Sequence, residues 1–101
     1  MQLKELASLL TISYIIGHGE TSFNGIQTDS RKVTPGSLFI CVPGLTVDGH
    51  EFAEAAAKLG ASALVVEHDV DVDLPKLVVK DSRYAMALIA NHFFTEVPAR
   101  K

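Results

Sequence analysis

The stretch "LFICVPGLTVDGHEFAEAAAKLGASALVVE", Leu38 to Glu67, sets two continuous apolar runs on either side of an alanine-rich segment that closes on a glycine. Leu38-Phe39-Ile40-Cys41-Val42 has strand length and no polar alternation, the pattern of a strand buried on both faces, and Ser62 to Glu67 reads as a second strand. Between them Phe52, Ala55, Ala56 and Leu59 fall at helical spacing, and Gly60 stands where a helix closes in the left-handed conformation. The whole unit has the length of a strand–helix–strand crossover between parallel strands. This spacing predicts an α/β protein.

Working outward, Leu3, Leu6, Ala7 and Leu10 form one face of a short first helix. Ser13 to Ile16 and Gly25 to Thr28 read as short extended segments, and Pro35-Gly36 as the turn that feeds Leu38. Downstream, Lys76 to Lys80 is another strand. Asp81 or Ser82 then caps a last helix whose Ala85, Leu88, Ile89 and Phe93 share a face, and Pro98 cannot continue it. The expectation is a single α/β domain over residues 1–97, with a mixed, mostly parallel sheet of about five short strands and helices packed on it. Residues 98–101 read as the start of a linker.

Bulk properties narrow the function. A chain of 101 residues, 48% hydrophobic and 21% charged, supports one core. A net charge of −3 offers no basic surface for nucleic acid or an anionic membrane. No apolar run approaches the roughly 20 residues of a membrane span, and no cleavable leader is visible, so a cytoplasmic location is expected. The single cysteine, Cys41, lies inside an apolar run and reads as a buried thiol.

Candidate chemistry is sparse. Gly44 and Gly49 have P-loop spacing, but His50-Glu51 follows where Lys and Ser or Thr would have to reach phosphate and Mg²⁺. The acidic run Glu67 to Asp73 lacks the Gly and Glu that a calcium loop starting at Asp69 requires, since Leu74 and Lys80 hold those places. His18, His50, His68 and His92 have no zinc-ligand spacing, and His92 reads as a packing residue. Ser30 between Asp29 and Arg31 is no triad, because adjacent side chains of an extended segment point apart. No metal site and no self-contained active site are expected.

A binding surface remains. Thr28-Asp29-Ser30-Arg31 ends one extended segment, and Gly44-Leu45-Thr46-Val47 leaves the buried strand at the carboxyl edge where α/β sheets take ligands. Side by side, the Ser30 and Thr46 hydroxyls with apolar Leu45 and Val47 would suit a planar base and a ribose-phosphate. Two structural loops, with Arg31 paired to Asp29 or Asp48, account for the same residues.

Asp29-Ser30-Arg31, Pro35-Gly36 ahead of Phe39, Gly44, Asp48-Gly49-His50 with Phe52, and Gly60-Ala61 ahead of Val65-Val66-Glu67 occur together and in order. As a set they resemble the N-terminal domain of the Mur ligases, most closely the MurE branch, which adds the third residue of the peptidoglycan stem peptide. The resemblance implies a domain that holds the uridine diphosphate end of UDP-N-acetylmuramoyl-L-alanyl-D-glutamate. It assigns Thr28, Ser30, Leu45, Thr46 and Val47 to that contact, with Asp29, Arg31 and Gly44 in support. It implies no catalytic residue and no cofactor here. ATP, Mg²⁺ and the ligation chemistry would belong to central and C-terminal domains of the same enzyme. A chain stopping at Lys101 is then expected to bind without ligating. Ser37 departs from the family's usual Asp, which touches a turn cap and not the ligand. The MurF-type ligase, or a non-catalytic interaction domain on the same scaffold, is the alternative.

Overall fold

The computed structural model describes residues 2–10, 13–43 and 49–95, with side chains of the last helix as far as Asn91. Five strands form one sheet: β1 (Ser13–Ile16), β2 (Gly25–Gln27), β3 (Ser37–Ile40), β4 (Ala63–Val66) and β5 (Lys76–Val79). Their order is β1-β5-β4-β3-β2. The pairs β2–β3, β3–β4 and β4–β5 are parallel, and β1 runs antiparallel to β5 with Ser13 opposite Val79. The mixed, mostly parallel sheet expected from sequence is the one observed.

Every residue of β3, β4 and β5 is buried, because helices cover both faces of the sheet. The two-residue repeat of a strand divides these side chains between two cores. Leu38, Ile40, Ala63, Val65, Leu77 and Val79 face α1 (Leu3–Ala7) and α3 (Ser82–Thr95), meeting Leu3, Leu6, Leu10, Ala85 and Ile89. Phe39, Cys41, Leu64, Val66 and Val78 face the other way, onto Val33 and α2 (Ala53–Lys58). Each large apolar side chain so enclosed contributes about 1.5–3 kcal/mol relative to exposure.

The local signals act as their chemistry dictates. Asp81 Oδ1 accepts the Arg83 and Tyr84 amides at 3.0 and 3.2 Å and so caps α3. The Pro35-Gly36 turn closes with Ser37 N donating to Thr34 O at 3.0 Å, and the Ser37 hydroxyl accepts the Thr34 amide at 3.2 Å. Ser37 therefore does act as a turn cap. Gly60 ends α2 with φ +103, and a Cβ there would stand 2.9 Å from Pro35 Cα.

One expectation needs correction. The face of α2 against the sheet is Ala53 and Ala56, whereas Phe52 and Leu59 are 41% and 46% exposed. A 3₁₀ turn over Gly49–Phe52 precedes the helix and shifts its phase, since three residues per turn differ from 3.6. Methyl side chains also let the helix lie close to the sheet, which longer ones would prevent. The face of α3 is as expected for Ala85, Leu88 and Ile89. The side chains of His92 and Phe93 lie outside the described residues, as do residues 96–101.

Candidate functional site at the carboxyl edge of the sheet

The segment after β2 is a tight turn. Asp29 keeps an extended backbone (φ −111, ψ 115), and Ser30–Lys32 then makes one 3₁₀ turn, with Lys32 N donating to Asp29 O at 3.0 Å. Asp29 Oδ1 accepts both the Arg31 amide and Arg31 Nε at 3.0 Å, and Oδ2 accepts the second guanidinium nitrogen at 2.9 Å. Sequence reasoning treats Asp29 to Arg31 as extended and offers Asp29 or Asp48 as the partner of Arg31. Here the helical turn brings Asp29 and Arg31 together, and the Asp side chain bonding its own backbone two residues on is what bends the chain.

The hydrogen bonds from the Arg31 side chain and amide hold the Asp29 carboxyl at a pKa of about 2, and the same carboxylate raises that of Arg31. The Arg31 side chain is 87% exposed, so the pair adds little to global stability. Its effect is local. The carboxylate is fully engaged by Arg31, and among the described residues the hydroxyls of Thr28 and Ser30 have no hydrogen-bond partner. The turn thus carries, at the carboxyl end of β2 and beside a neutralised ion pair, two hydroxyls unengaged among the described residues.

Gly44, Leu45, Thr46 and Val47, the other half of the expected pocket, lie outside the described residues, as does Asp48, the second partner considered for Arg31. The two flanks of that segment are described. Gly49 N donates to Val42 O at 3.0 Å, and a Cβ on Gly49 would fall 2.7 Å from Val42 N. The second glycine of the P-loop-like spacing is thus needed for backbone contact across the segment's base. His50 is buried, and its Nε2 accepts the Glu67 amide at 2.9 Å, which places the ring proton on Nδ1. Its ring stacks on His68 with centroids 4.3 Å apart. Glu67 Oε2 in turn accepts both the amide and the hydroxyl of Ser82 at 2.8 Å. Arg83 donates to Pro43 O. Sequence reasoning passes over this set because its members lie far apart in the chain.

A cleft of about 730 Å³ opens on the α1–α3 side of Pro43, between Leu9, Leu10, Tyr84 and Leu88, with Glu67, Lys80, Asp81 and Arg83 at its polar end. Its carboxylates already serve the first turn of α3. Thr28 and Ser30 do not line it. Among the described residues, the hydroxyls of Thr28 and Ser30 at the Asp29 turn, on the α2 side of the sheet, are open to a polar ligand.

A family model described as "Mur ligase family, catalytic domain" matches residues 22–94. The UDP-N-acetylmuramoyl-L-alanyl-D-glutamate--2,6-diaminopimelate ligase of Geobacillus thermodenitrificans is 48% identical over 94 residues, covering 93% of this chain and 19% of that relative. The chain thus spans about a fifth of the length of the relatives it matches. Among solved structures, MurF from Acinetobacter baumannii superposes with a TM-score of 0.83 at 24% identity, covering 96% of this chain and 22% of that one. At that identity the likeness is one of fold. MurF ligase from Thermotoga maritima, solved in complex with ADP, has a TM-score of 0.61 at 28% identity, covering 75% of this chain and 17% of that one.

Proposed function

Because the chain belongs to the Mur ligase family, we propose that residues 1–97 form the substrate-binding domain of a cytoplasmic, ATP-dependent ligase of peptidoglycan synthesis, with residues 98–101 beginning a linker. In this reading the enzyme adds the third amino acid to UDP-N-acetylmuramoyl-L-alanyl-D-glutamate, and this domain grips the uridine diphosphate end. The names of the relatives favour diaminopimelate over L-lysine as the amino acid added. ATP and Mg²⁺ act in central and C-terminal domains of the same protein.

The observation that carries the proposal is the Asp29 turn, which holds the Thr28 and Ser30 hydroxyls without partners among the described residues. Those hydroxyls bind the nucleotide, and Leu45, Thr46 and Val47 complete its enclosure. Asp29 and Arg31 brace the turn, and Gly44 begins the second loop. The MurF-type alternative rests on structural neighbours of 24–28% identity, against 48% for the diaminopimelate ligase.

Chemical-shift mapping with UDP-N-acetylmuramoyl-L-alanyl-D-glutamate, UDP and ADP tests the reading. Shifts at Thr28 to Arg31, larger for the uridine ligands than for ADP, are expected. Equal response to ADP, or shifts centred on 67–73, would overturn it. In the full-length enzyme Ser30→Ala should raise the KM for the UDP-substrate roughly threefold to tenfold, as expected for one lost hydrogen bond, with the ATP KM unchanged. An unchanged KM for the sugar nucleotide removes Ser30 from the site.

A further inference from the structure

The cleft beside Pro43 holds two cations without a counter-charge, although two carboxylates share it. It lies beyond the carboxyl ends of β4 and β5, which Glu67 and Lys80 follow, between Leu9-Leu10 and α3. Tyr84 and Leu88 stand one turn apart on α3 and form a ridge along it. Ala85 and Ile89 of the same helix pack on the sheet instead. The fold leaves Leu9 and Tyr84 exposed. At the polar end, Glu67 Oε2 accepts the Ser82 amide and hydroxyl, and Asp81 Oδ1 accepts the Arg83 and Tyr84 amides. Both carboxylates thus turn to the first turn of α3. Arg83 donates through one terminal nitrogen to the neutral Pro43 carbonyl. Among the described residues, Lys80 Nζ and the Tyr84 hydroxyl have no partner, and neither cation is ion-paired.

We propose that this cleft is a separate small-molecule site, for a monocarboxylate carried on an aromatic or branched apolar body. The body lies against Leu9, Leu10 and Leu88 with the Tyr84 ring alongside, and the carboxylate meets Lys80 and the open N–H groups of Arg83. A volume of about 730 Å³ falls within the roughly 300–1,000 Å³ of small-molecule sites. The position, outside the carboxyl ends of parallel strands, is where open α/β sheets take ligands. A neutral apolar ligand would leave both cations unmet, and a cationic one would be repelled by them. A multiply charged anion would meet Glu67 and Asp81 at close quarters, so one negative charge suits the cleft. The proposal does not rest on the uridine reading, because Thr28 and Ser30 do not line this cleft.

The test uses three probes of one shape on the ¹⁵N-labelled chain: 2-naphthoate, neutral 2-naphthamide and cationic 2-naphthylmethylammonium. Saturable amide shifts at Leu9, Leu10 and Lys80 to Leu88 are expected, with naphthoate bound at least about threefold more tightly than naphthamide and the ammonium weakest. Added salt should weaken naphthoate and leave naphthamide unchanged. Lys80→Gln and Arg83→Gln should each lower naphthoate affinity roughly threefold to tenfold and leave naphthamide as it was, the pattern of a lost charged contact. Tyr84→Ala should weaken both. Lys80 makes no contact that the fold uses, so Lys80→Gln keeps the test open if Arg83→Gln loses its thermal midpoint. Saturating UDP should not displace naphthoate. Equal affinity for the three probes, shifts centred on exposed Phe52 and Leu59, or no saturation overturns the proposal. So does parent-like naphthoate binding in Lys80→Gln. Displacement by UDP would also overturn it, by making the cleft part of a nucleotide site. A chain that binds naphthoate as described but does not prefer UDP to ADP loses the uridine reading and keeps this one.

Discussion

Asp29 shows how a single side chain can shape a surface while adding little to stability. Its folded pKa, about 2, lies below the ordinary 3.8, with the Arg31 side-chain hydrogen bonds as the main cause and the Arg31 amide next. A depressed carboxyl pKa gives a contribution that is complete above the unfolded value and lost as pH falls through the folded one. The turn is therefore fully braced above about pH 4 and released as pH falls towards 2. Replacing Arg31 with Ala should return the Asp29 midpoint towards 3.8, read from the side-chain carboxyl ¹³C shift. A midpoint that stays near 2 would show that something other than the Arg31 side chain holds the carboxylate. At this scale the sequence was half legible. Asp29 as a turn-holder and as one of two partners for Arg31 follows from its short acceptor, but the 3₁₀ turn that joins them is marked by no apolar periodicity. His50 and Glu67 were opaque, because their hydrogen bond joins residues 17 apart in the chain.

Among the elements, α2 is the informative one. Its sheet-facing residues are the small Ala53 and Ala56, and the larger Leu59 stands 46% exposed. Ala56→Leu should cost about 1–3 kcal/mol by overpacking. Leu59→Ala should change stability by about 1 kcal/mol or less, since nearly half of its surface stays in water on folding. Urea denaturation of the two variants decides between this face and the one that apolar spacing suggests; the reverse order of costs would favour the latter. The strands were legible because uninterrupted apolar runs such as Leu77-Val78-Val79 admit few other readings at that length. The phase of α2 was not, because four alanines in six residues carry almost no hydrophobic contrast, and the preceding 3₁₀ turn resets the count.

Taken whole, the molecule is a sheet with helices on both sides, and its protection against solvent should follow the strand order. Amides of β4, flanked by β3 and β5, should exchange with deuterium most slowly, at the rate of global unfolding. Those of β2, an edge strand of three residues, should exchange through local opening at a faster rate. Equal rates in β2 and β4 would mean that the sheet opens only as a unit. The overall architecture was accessible from sequence because crossover length and strand polarity leave few topologies. The placement of β1 against β5 was not, since nothing local to Ser13–Ile16 names a partner so distant.

That antiparallel pairing of β1 with β5, Ser13 opposite Val79, has a consequence for synthesis on the ribosome. The chain emerges from its amino end, so β1 is made early and its partner late. Until Lys76–Val79 has cleared the exit tunnel, Tyr14, Ile15 and Ile16 have no strand to pair with, and β5 also separates them from the rest of the sheet. During that interval an apolar segment with open hydrogen-bonding edges is the vulnerable part of the nascent chain. Slower translation ahead of β5 would lengthen the exposure, and an early encounter with a chaperone would shorten it.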